Sequence, residues 1–160
     1  MKNITIRDAV TSDSAQILAF IKDLASYENA VDEVVAEEKD IQESIFGQNS
    51  SVKALICLLG EEPIGFAVYF YNYSTWQGKK GLYLEDLYVS PEHRGIGAGK
   101  ELLKHLAKIA VSQNCGRFEW SVLDWNKPAI DFYESIGAKP KKEWIGYQLT
   151  GGALYDFSRR

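Results

Sequence analysis

The sequence predicts an α/β (α+β) fold in which a mixed central sheet of six to seven strands is flanked by about four helices. Segments with strand-like alternation are interspersed with segments whose apolar residues recur at every third or fourth position. A chain of 160 residues is long enough to bury one sizeable core. It contains no internal repeat and no low-complexity linker, so residues 1–160 are expected to form a single domain.

The first half of the chain predicts four strands and two helices. The strands are Ile4–Ile6, Val52–Leu59, Ile64–Tyr73 and Leu82–Val89. The second and third strands are joined by Gly-Glu-Glu-Pro, a combination typical of a hairpin turn. Helical spacing follows the N-cap candidates Thr11–Asp13 and runs from Ile17 to Ala25. A second helix is marked by Ile41 and ends at Gly47.

The second half predicts a loop, two helices and two further strands. Pro91–Gly99 is the loop, and Leu102–Ala110 follows with helical spacing. The remaining elements are a strand at Phe118–Leu123, a helix at Pro128–Ile136 closed by Gly137, and a final strand at Trp144–Leu149. The residues after Thr150 are expected to form a short helix or a tail.

Composition excludes several classes of function. The two cysteines, Cys57 and Cys115, and the two histidines, His93 and His105, do not fall into a metal-ligand spacing, so no metal is predicted. No run approaches the length of a membrane span, and no signal-peptide core is present, so a cytoplasmic protein that does not act on a membrane is expected. A net charge of −4 argues against a nucleic-acid partner, which would require a basic face.

Negative charge is concentrated between Glu28 and Glu43, where seven acidic residues face only one basic residue, Lys39. A solvated helix face is one interpretation of such a run. The other is a rim that attracts a cationic substrate, because a field of one sign raises the rate of encounter.

A glycine-rich segment, Arg94–Gly99, lies between a predicted strand and a predicted helix. Without Cβ atoms, its backbone can approach a ligand closely and present consecutive N–H groups to phosphate oxygens, next to the positive end of the helix dipole. A dinucleotide fingerprint would need glycine where Lys100 stands, and a P-loop would need Ser or Thr where Glu101 stands. The segment therefore predicts a phosphate loop of another kind, or a turn without a ligand.

The pattern Arg-x-x-Gly-x-Gly, formed by Arg94, Gly97 and Gly99, resembles the loop that clasps coenzyme A in the GNAT superfamily of acetyl-CoA-dependent N-acetyltransferases. The flanking segments strengthen the resemblance. They are Leu82–Val89, Trp125–Tyr133 and the Gly137-Ala138 pair. Together with Ile17–Glu28 and Gly65–Tyr69, they make the chain, from Ile6 to about Leu149, similar to the diamine acetyltransferase branch, which contains the spermidine/spermine and thialysine acetyltransferases.

The resemblance implies a GNAT fold, acetyl-CoA as co-substrate, a small-molecule amine as acceptor and a homodimer. It implies that backbone at the end of the fourth strand pairs with the pantetheine arm, that the glycine loop binds the pyrophosphate, and that the segment beginning at Asn126 lines the remaining groove. The implied cofactor-binding residues are Leu87, Tyr88, Val89, Arg94, Gly95, Ile96, Gly97, Ala98, Gly99, Lys100, Asn126, Lys127, Pro128 and Ala129.

The same resemblance implies that Tyr133 protonates the departing thiolate, that Glu85 accepts the amine proton, and that Tyr27 and Glu28 touch the acceptor together with Glu85. These residue types suit the chemistry, because an aliphatic amine with a pKa of about 10 must lose a proton before it can attack a thioester. A structural ion pair for Glu85 and a packed aromatic role for Tyr133 are the alternatives. Regular alternation would turn Asp86, next to Glu85, to the opposite face of the sheet.

Two departures from the polyamine enzymes bear on the acceptor. Thr75 stands where those enzymes carry an aspartate, and Ile145 or its neighbour stands where an acid is expected. Each lost charge-assisted contact removes about 1.5–3 kcal/mol of attraction for a further ammonium group. A smaller amine, such as a diamine, thialysine or lysine, is therefore the leading prediction, polyamines are second and a protein or peptide amine is third. An acetyl-CoA-binding module with little turnover is the non-enzymatic alternative.

Overall fold

The computed structural model describes residues 3–160, which divide into two compact units. The first unit ends at Ser121, and the second runs from Val122 to Arg160. The assignment of residues 1–160 to a single domain stays a prediction.

The first unit contains a five-stranded sheet and three α-helices. Its elements are β1 (Ile4–Asp8), α1 (Ser14–Tyr27), α2 (Glu38–Phe46), β2 (Val52–Leu59), β3 (Glu62–Ser74), β4 (Lys79–Val89), α3 (Ala98–Ser112) and β5 (Phe118–Trp120). The strand order is β1-β2-β3-β4-β5; β1 to β4 pair antiparallel, and β5 pairs parallel with β4. The predicted mixed sheet is confirmed.

Helices cover both faces of this sheet. On one face, Ile17 and Phe20 of α1 and Ile41 of α2 pack into a buried cluster with Phe66 and Tyr88. The Phe20 and Phe66 rings stack with their centroids 5.6 Å apart. We call this the α1 face. The buried residues that alternate with this cluster along the strands form the other face, the α3 face, where α3 contacts β1, β3 and β4.

A β-bulge interrupts β4 at Glu85. Tyr69 pairs with Leu84 and Val68 pairs with Asp86, so Glu85 has no partner on β3. Val68 and Tyr69 are consecutive and face opposite sides of the sheet. A residue on β4 faces the same side as the β3 residue with which it pairs. Leu84 consequently lies on the α3 face and Asp86 on the α1 face, although they are only two residues apart.

The second unit contains α4 (Lys127–Ser135) and α5 (Gly151–Phe157). Pro128 lies in the first turn of α4, where its missing N–H is harmless, and Gly137 follows the helix with a φ of +91°. The segment after Thr150, for which a short helix or a tail was expected, is the short helix α5. Every side chain from Val122 to Arg160 is half-buried or exposed.

The predicted number of strands was wrong. Among residues 3–160 the structure has five strands, because Trp144–Leu149 is not a strand, and five α-helices, because the segment after Thr150 adds one to the predicted four. β5 is also shorter than predicted and ends at Trp120 instead of Leu123. An alternating pattern favours a strand only where a neighbouring strand supplies hydrogen bonds, and the described residues give Trp144–Leu149 no such neighbour.

Candidate active site

The glycine loop follows β4 directly and uses two left-handed glycines. After Val89, a 3-10 turn spans Pro91–His93, and the chain then passes through Gly95 at φ +80° and Gly97 at φ +91°. No heavy atom lies within 4 Å of the position that a Cβ would take at either glycine. Glycine is therefore needed here for its backbone conformation rather than to avoid a clash with the protein.

The loop ends at the start of α3, with Gly97 as the N-cap residue. Gly97 accepts a backbone hydrogen bond from Glu101 at 2.9 Å, and no described side chain caps the helix. The first N–H groups of α3, from Ala98 to Lys100, are thus left for another acceptor, and the helix dipole favours an anion in that place. A Cβ at Gly99 would lie 4.0 Å from Leu87 and 4.0 Å from Val89, so the helix start packs on the end of β4.

Arg94 ties this loop to the end of α1. Its Nε donates a 3.0 Å hydrogen bond to the carbonyl oxygen of Val89. Its guanidinium carbon lies 5.1 Å from the ring centroid of Tyr27 and 5.6 Å from that of Tyr88. Arg94, implied as a cofactor residue, and Tyr27, implied as an acceptor residue, are therefore neighbours in the first unit.

The far end of β4 has an edge that β5 does not cover. β5 pairs with β4 only from Leu82 to Leu84, which is the part of the strand before the bulge. Leu87, Tyr88 and Val89 pair with β3 on one side only within the described sheet. Their backbone leaves N–H and C=O groups for an extended ligand with amides of its own.

Three carboxylates gather beside the bulge. Glu85 is exposed, Asp86 is half-buried on the α1 face, and Glu28 is half-buried directly after the last turn of α1. Burial, followed by the charges of Glu85 and Glu28, raises the pKa of Asp86 to about 6. Burial also raises the pKa of Glu28. The three side chains therefore form a negative site that suits an ammonium group.

The expectation that Asp86 faces away from Glu85 assumed regular alternation, and the bulge at Glu85 breaks that alternation. The sequence contains no glycine or proline at this point to mark a bulge. Two adjacent acids in an otherwise apolar strand were the available signal. The position of Asp86 as a candidate proton acceptor became visible only in the structure.

The remaining implied residues belong to the second unit and share one helix. Asn126 is the N-cap of α4, and Lys127, Pro128 and Ala129 form its first turn. Lys127 makes an ion pair with Asp131 at 2.8 Å, one helical turn further on. Tyr133 lies on the same helix and is half-buried, with its ring centroid 6.0 Å from that of Phe132.

The two positions that depart from the polyamine enzymes are both exposed. Thr75 lies in the turn after β3, next to Trp76, which is 90% exposed. Ile145 lies in a segment of the second unit without regular structure and is 77% exposed.

Residues 3–160 contain no group of three or more His, Cys, Asp or Glu side chains placed to hold a metal ion. The helices described in this range are also too short or too polar to cross a bilayer.

Residues 18–138 match the Acetyltransferase (GNAT) family. The chain is 35% identical to thialysine N-epsilon-acetyltransferase of Sus scrofa over 169 aligned positions, covering 99% of both proteins. It is 48% identical over 90 residues to L-ornithine N5-acetyltransferase of Arabidopsis thaliana, covering 56% of this chain and 40% of that protein. Among solved structures, an integron cassette protein of V. cholerae superposes with a TM-score of 0.83 at 28% identity, covering 98% of each chain. The chain belongs to the GNAT family of acetyltransferases.

Proposed function

We propose that this protein transfers the acetyl group of acetyl-CoA to a primary amine of a small molecule. The observation that carries the proposal is the carboxylate site of Glu28, Glu85 and Asp86, formed on the strand that leads into the glycine loop. The carboxylates that suit a cation thus lie beside the bulge of β4, and the N–H groups that suit a phosphate lie in the loop and helix start that follow the same strand. Family membership supports the pairing of these two sites in one reaction.

Coenzyme A is proposed to bind along β4 and its loop. The open backbone edge of Leu87–Val89 suits the amides of the pantetheine arm, and an N–H there would polarise the thioester carbonyl. The unpartnered N–H groups at the start of α3 suit the pyrophosphate, together with the side chain of Lys100. Asn126 and the first turn of α4 are proposed to line the rest of the groove.

The acceptor must reach the thioester as a free amine. We propose that Glu85 and Asp86 hold the ammonium group and remove one proton, directly or through water. A carboxylate with a pKa of about 6 is a better proton acceptor near neutral pH than an ordinary one. We therefore propose Asp86 as the base, and the exposed Glu85 is the more accessible partner. The amine nitrogen then attacks the carbonyl carbon, and a tetrahedral intermediate forms.

Collapse of that intermediate breaks the carbon–sulfur bond and releases the coenzyme A thiolate. We propose Tyr133 as the group that protonates this sulfur. A phenol with a pKa of about 10 is close enough to a thiol for the transfer to be nearly balanced. Support for this role comes from the family resemblance of α4 and from the half-buried position of Tyr133 on it.

The acceptor is proposed to be the terminal amine of a small amino acid, with diamines included in the class. Two relatives are named for such amines, one for the ε-nitrogen of thialysine and one for N5 of ornithine. Thr75 and Ile145 offer no charge to the further ammonium groups of a polyamine. Polyamines come second, and a protein or peptide amine third.

The experiment is an acetyl-transfer assay that follows thiol release from acetyl-CoA with a panel of amines, and identifies the acetylated product by mass spectrometry. Ornithine, lysine, thialysine and putrescine should be acetylated more efficiently, by kcat/KM, than spermidine or a lysine-containing peptide. Binding of acetyl-CoA without thiol release for every amine would instead support a binding module with little turnover. Preference for the peptide would support a protein acetyltransferase.

A homodimer is proposed as the working form. Its support is the end of β3, where Tyr73 is 62% exposed, and the turn that follows, where Trp76 is 90% exposed. Large exposed aromatics of this kind are enriched at protein interfaces. Analytical ultracentrifugation of the protein and of Trp76→Ser tests this state. The cytoplasmic location stays a prediction from the sequence, to be tested by cell fractionation.

A further inference from the structure

The first unit has a second concave site, remote from the glycine loop. An open cleft of about 700 Å³ lies where β1 ends beside β2, with walls formed by the ends of β1 and α2, the first half of β2, the middle of β3 and the second half of α3. Its volume falls within the usual range for small-molecule sites. The nearest lining residue of α3 is His105, two turns beyond Gly97 at the start of the helix.

The strand register places three chemically distinct side chains on the floor of this cleft. Lys53 of β2 pairs with Tyr69 of β3, and Asp8 of β1 pairs with Leu55 of β2. Lys53 and Leu55 are two residues apart and therefore share a face. Asp8 and Lys53 are consequently diagonal neighbours, with a typical separation of about 7–8 Å between backbone positions.

The helix wall completes the cleft. His105, Ile109 and Ser112 follow one another at helical spacing along one stripe of α3, and all three line the cleft. The cleft therefore offers a carboxylate, an ammonium group, an imidazole and a phenol, with apolar surface from Ile109 between them.

These polar groups have no partner among residues 3–160. The carboxylate of Asp8, the ammonium of Lys53 and the imidazole of His105 make neither an ion pair nor a hydrogen bond there. Tyr69 lines the cleft and is 4% exposed as a residue, and its hydroxyl makes no hydrogen bond to any described residue. Its hydroxyl is therefore available to a ligand or to water in the cleft.

The charges decide between ligand classes. An anion alone would meet the carboxylate of Asp8, and a cation alone would meet the ammonium of Lys53. A zwitterion can face both, with its positive end toward Asp8 and its negative end toward Lys53 and His105. The rings of Tyr69 and Tyr71, whose centroids are 6.2 Å apart, offer surface to an apolar or aromatic group between those ends.

We propose that this cleft binds a small zwitterion of the amino-acid class, separately from the acetyl-transfer site. Asp8 receives the ammonium group, Lys53 and His105 receive the carboxylate, and the Tyr69 hydroxyl donates a hydrogen bond to the ligand. Burial, followed by the nearby Tyr71 and Asp8, raises the pKa of Tyr69 to about 12, so this phenol remains a donor throughout the physiological range.

The test is isothermal titration of the full-length protein with L-phenylalanine and with two analogues that each lack one charge. 2-Phenylethylamine has no carboxylate, and 3-phenylpropanoate has no ammonium group. L-Phenylalanine should bind at least about tenfold more tightly than either analogue, since each lost charge-assisted contact removes one tenfold factor or more.

Two exposed substitutions assign the ends of the ligand. Asp8→Asn should weaken L-phenylalanine about tenfold and leave 3-phenylpropanoate unaffected. Lys53→Gln should weaken the binding of L-phenylalanine and of 3-phenylpropanoate, which both carry a carboxylate, and should leave the binding of 2-phenylethylamine unaffected. Lys104→Gln, an exposed change on α3 outside the cleft, is the matched control and should bind like the unaltered protein.

The absence of heat with L-phenylalanine at millimolar concentration would overturn the proposal. It would also be overturned if Asp8→Asn and Lys53→Gln bound L-phenylalanine as tightly as the unaltered protein does. Binding that saturating coenzyme A abolishes would place the ligand in the acetyl-transfer site and would also overturn it. Asp8→Asn and Lys53→Gln should keep their acetyl-transfer rates. An active enzyme that does not bind L-phenylalanine thus refutes only this proposal, and an inactive one that binds it refutes only the proposed function.

Discussion

Replacing Asp86 by Asn should stabilise the fold above neutral pH and slow acetyl transfer in the same variant. The stabilisation follows from the cost of keeping a half-buried carboxylate ionised beside Glu85 and Glu28. A change in pKa from 3.8 to about 6 corresponds to an upper limit of about 3 kcal/mol. Partial access to water and the polar amide of Asn reduce this, so we expect about 1–2 kcal/mol.

The pH dependence has a defined sign. Above pH 6, Asp86 is ionised in the folded and unfolded chains, and only the folded chain bears the cost of burial. Between pH 6 and 3.8, the folded chain binds a proton that the unfolded chain does not, so the Asp86 contribution to stability improves as the pH falls. Below pH 3.8 the acid is neutral in both states, and Asp86→Asn loses its advantage over the unaltered protein.

Urea denaturation at pH 8 and near pH 4 measures this difference as a change in the free energy of unfolding. Asp32→Asn, which alters an exposed aspartate after α1, is the matched control and should change stability little at either pH. If Asp86→Asn has the same effect at both pH values, or destabilises the fold at pH 8, then Asp86 is not a strained carboxylate and the reasoning for its role as a base is refuted.

Three further substitutions test the proposed chemistry. Gly97→Val should abolish acetyl-CoA binding, because a β-branched residue resists a φ of +91°. Gly99→Ala is the control and should retain binding, since its Cβ meets only ordinary contacts at 4.0 Å. Tight binding by Gly97→Val in calorimetry would contradict the phosphate-loop assignment. Tyr133→Phe should lower kcat by about 10²–10⁴-fold with little change in the Kd of acetyl-CoA, and unchanged turnover in steady-state assays would remove this phenol from the mechanism. Glu85→Gln should move the optimum of kcat/KM toward higher pH, where free amine is more abundant; an unshifted profile would leave proton removal to Asp86 alone.

Local sequence patterns were sufficient to predict the helices α1 and α3 and the glycine loop between β4 and α3. The apolar spacing of α1 and α3 depends on each helix burying one face, which is a property of the segment itself. The loop that contains Gly97 could likewise be predicted, because several glycines stand between a predicted strand and a predicted helix, whereas the positive φ of Gly97 was seen only in the structure.

Features that depend on two segments at once were harder to predict. Trp144–Leu149 has the composition of a strand but no strand beside it in the described sheet. β5 stops at Trp120, where β4 reaches its bulge, and the sequence of β5 alone does not contain that limit. The orientation of Asp86 depends on the register between β3 and β4, which the sequence of β4 alone does not contain.

The bulge gives one backbone position an influence over the whole second half of β4. Deleting Glu85 would put the last four residues of β4 out of phase with β3. Asp86 and Tyr88 would then turn to the α3 face, and Leu87 and Val89 would turn to the α1 face. A register shift of one residue, with every other side chain kept, would thus separate Asp86 from Glu28 and put aliphatic groups in its place.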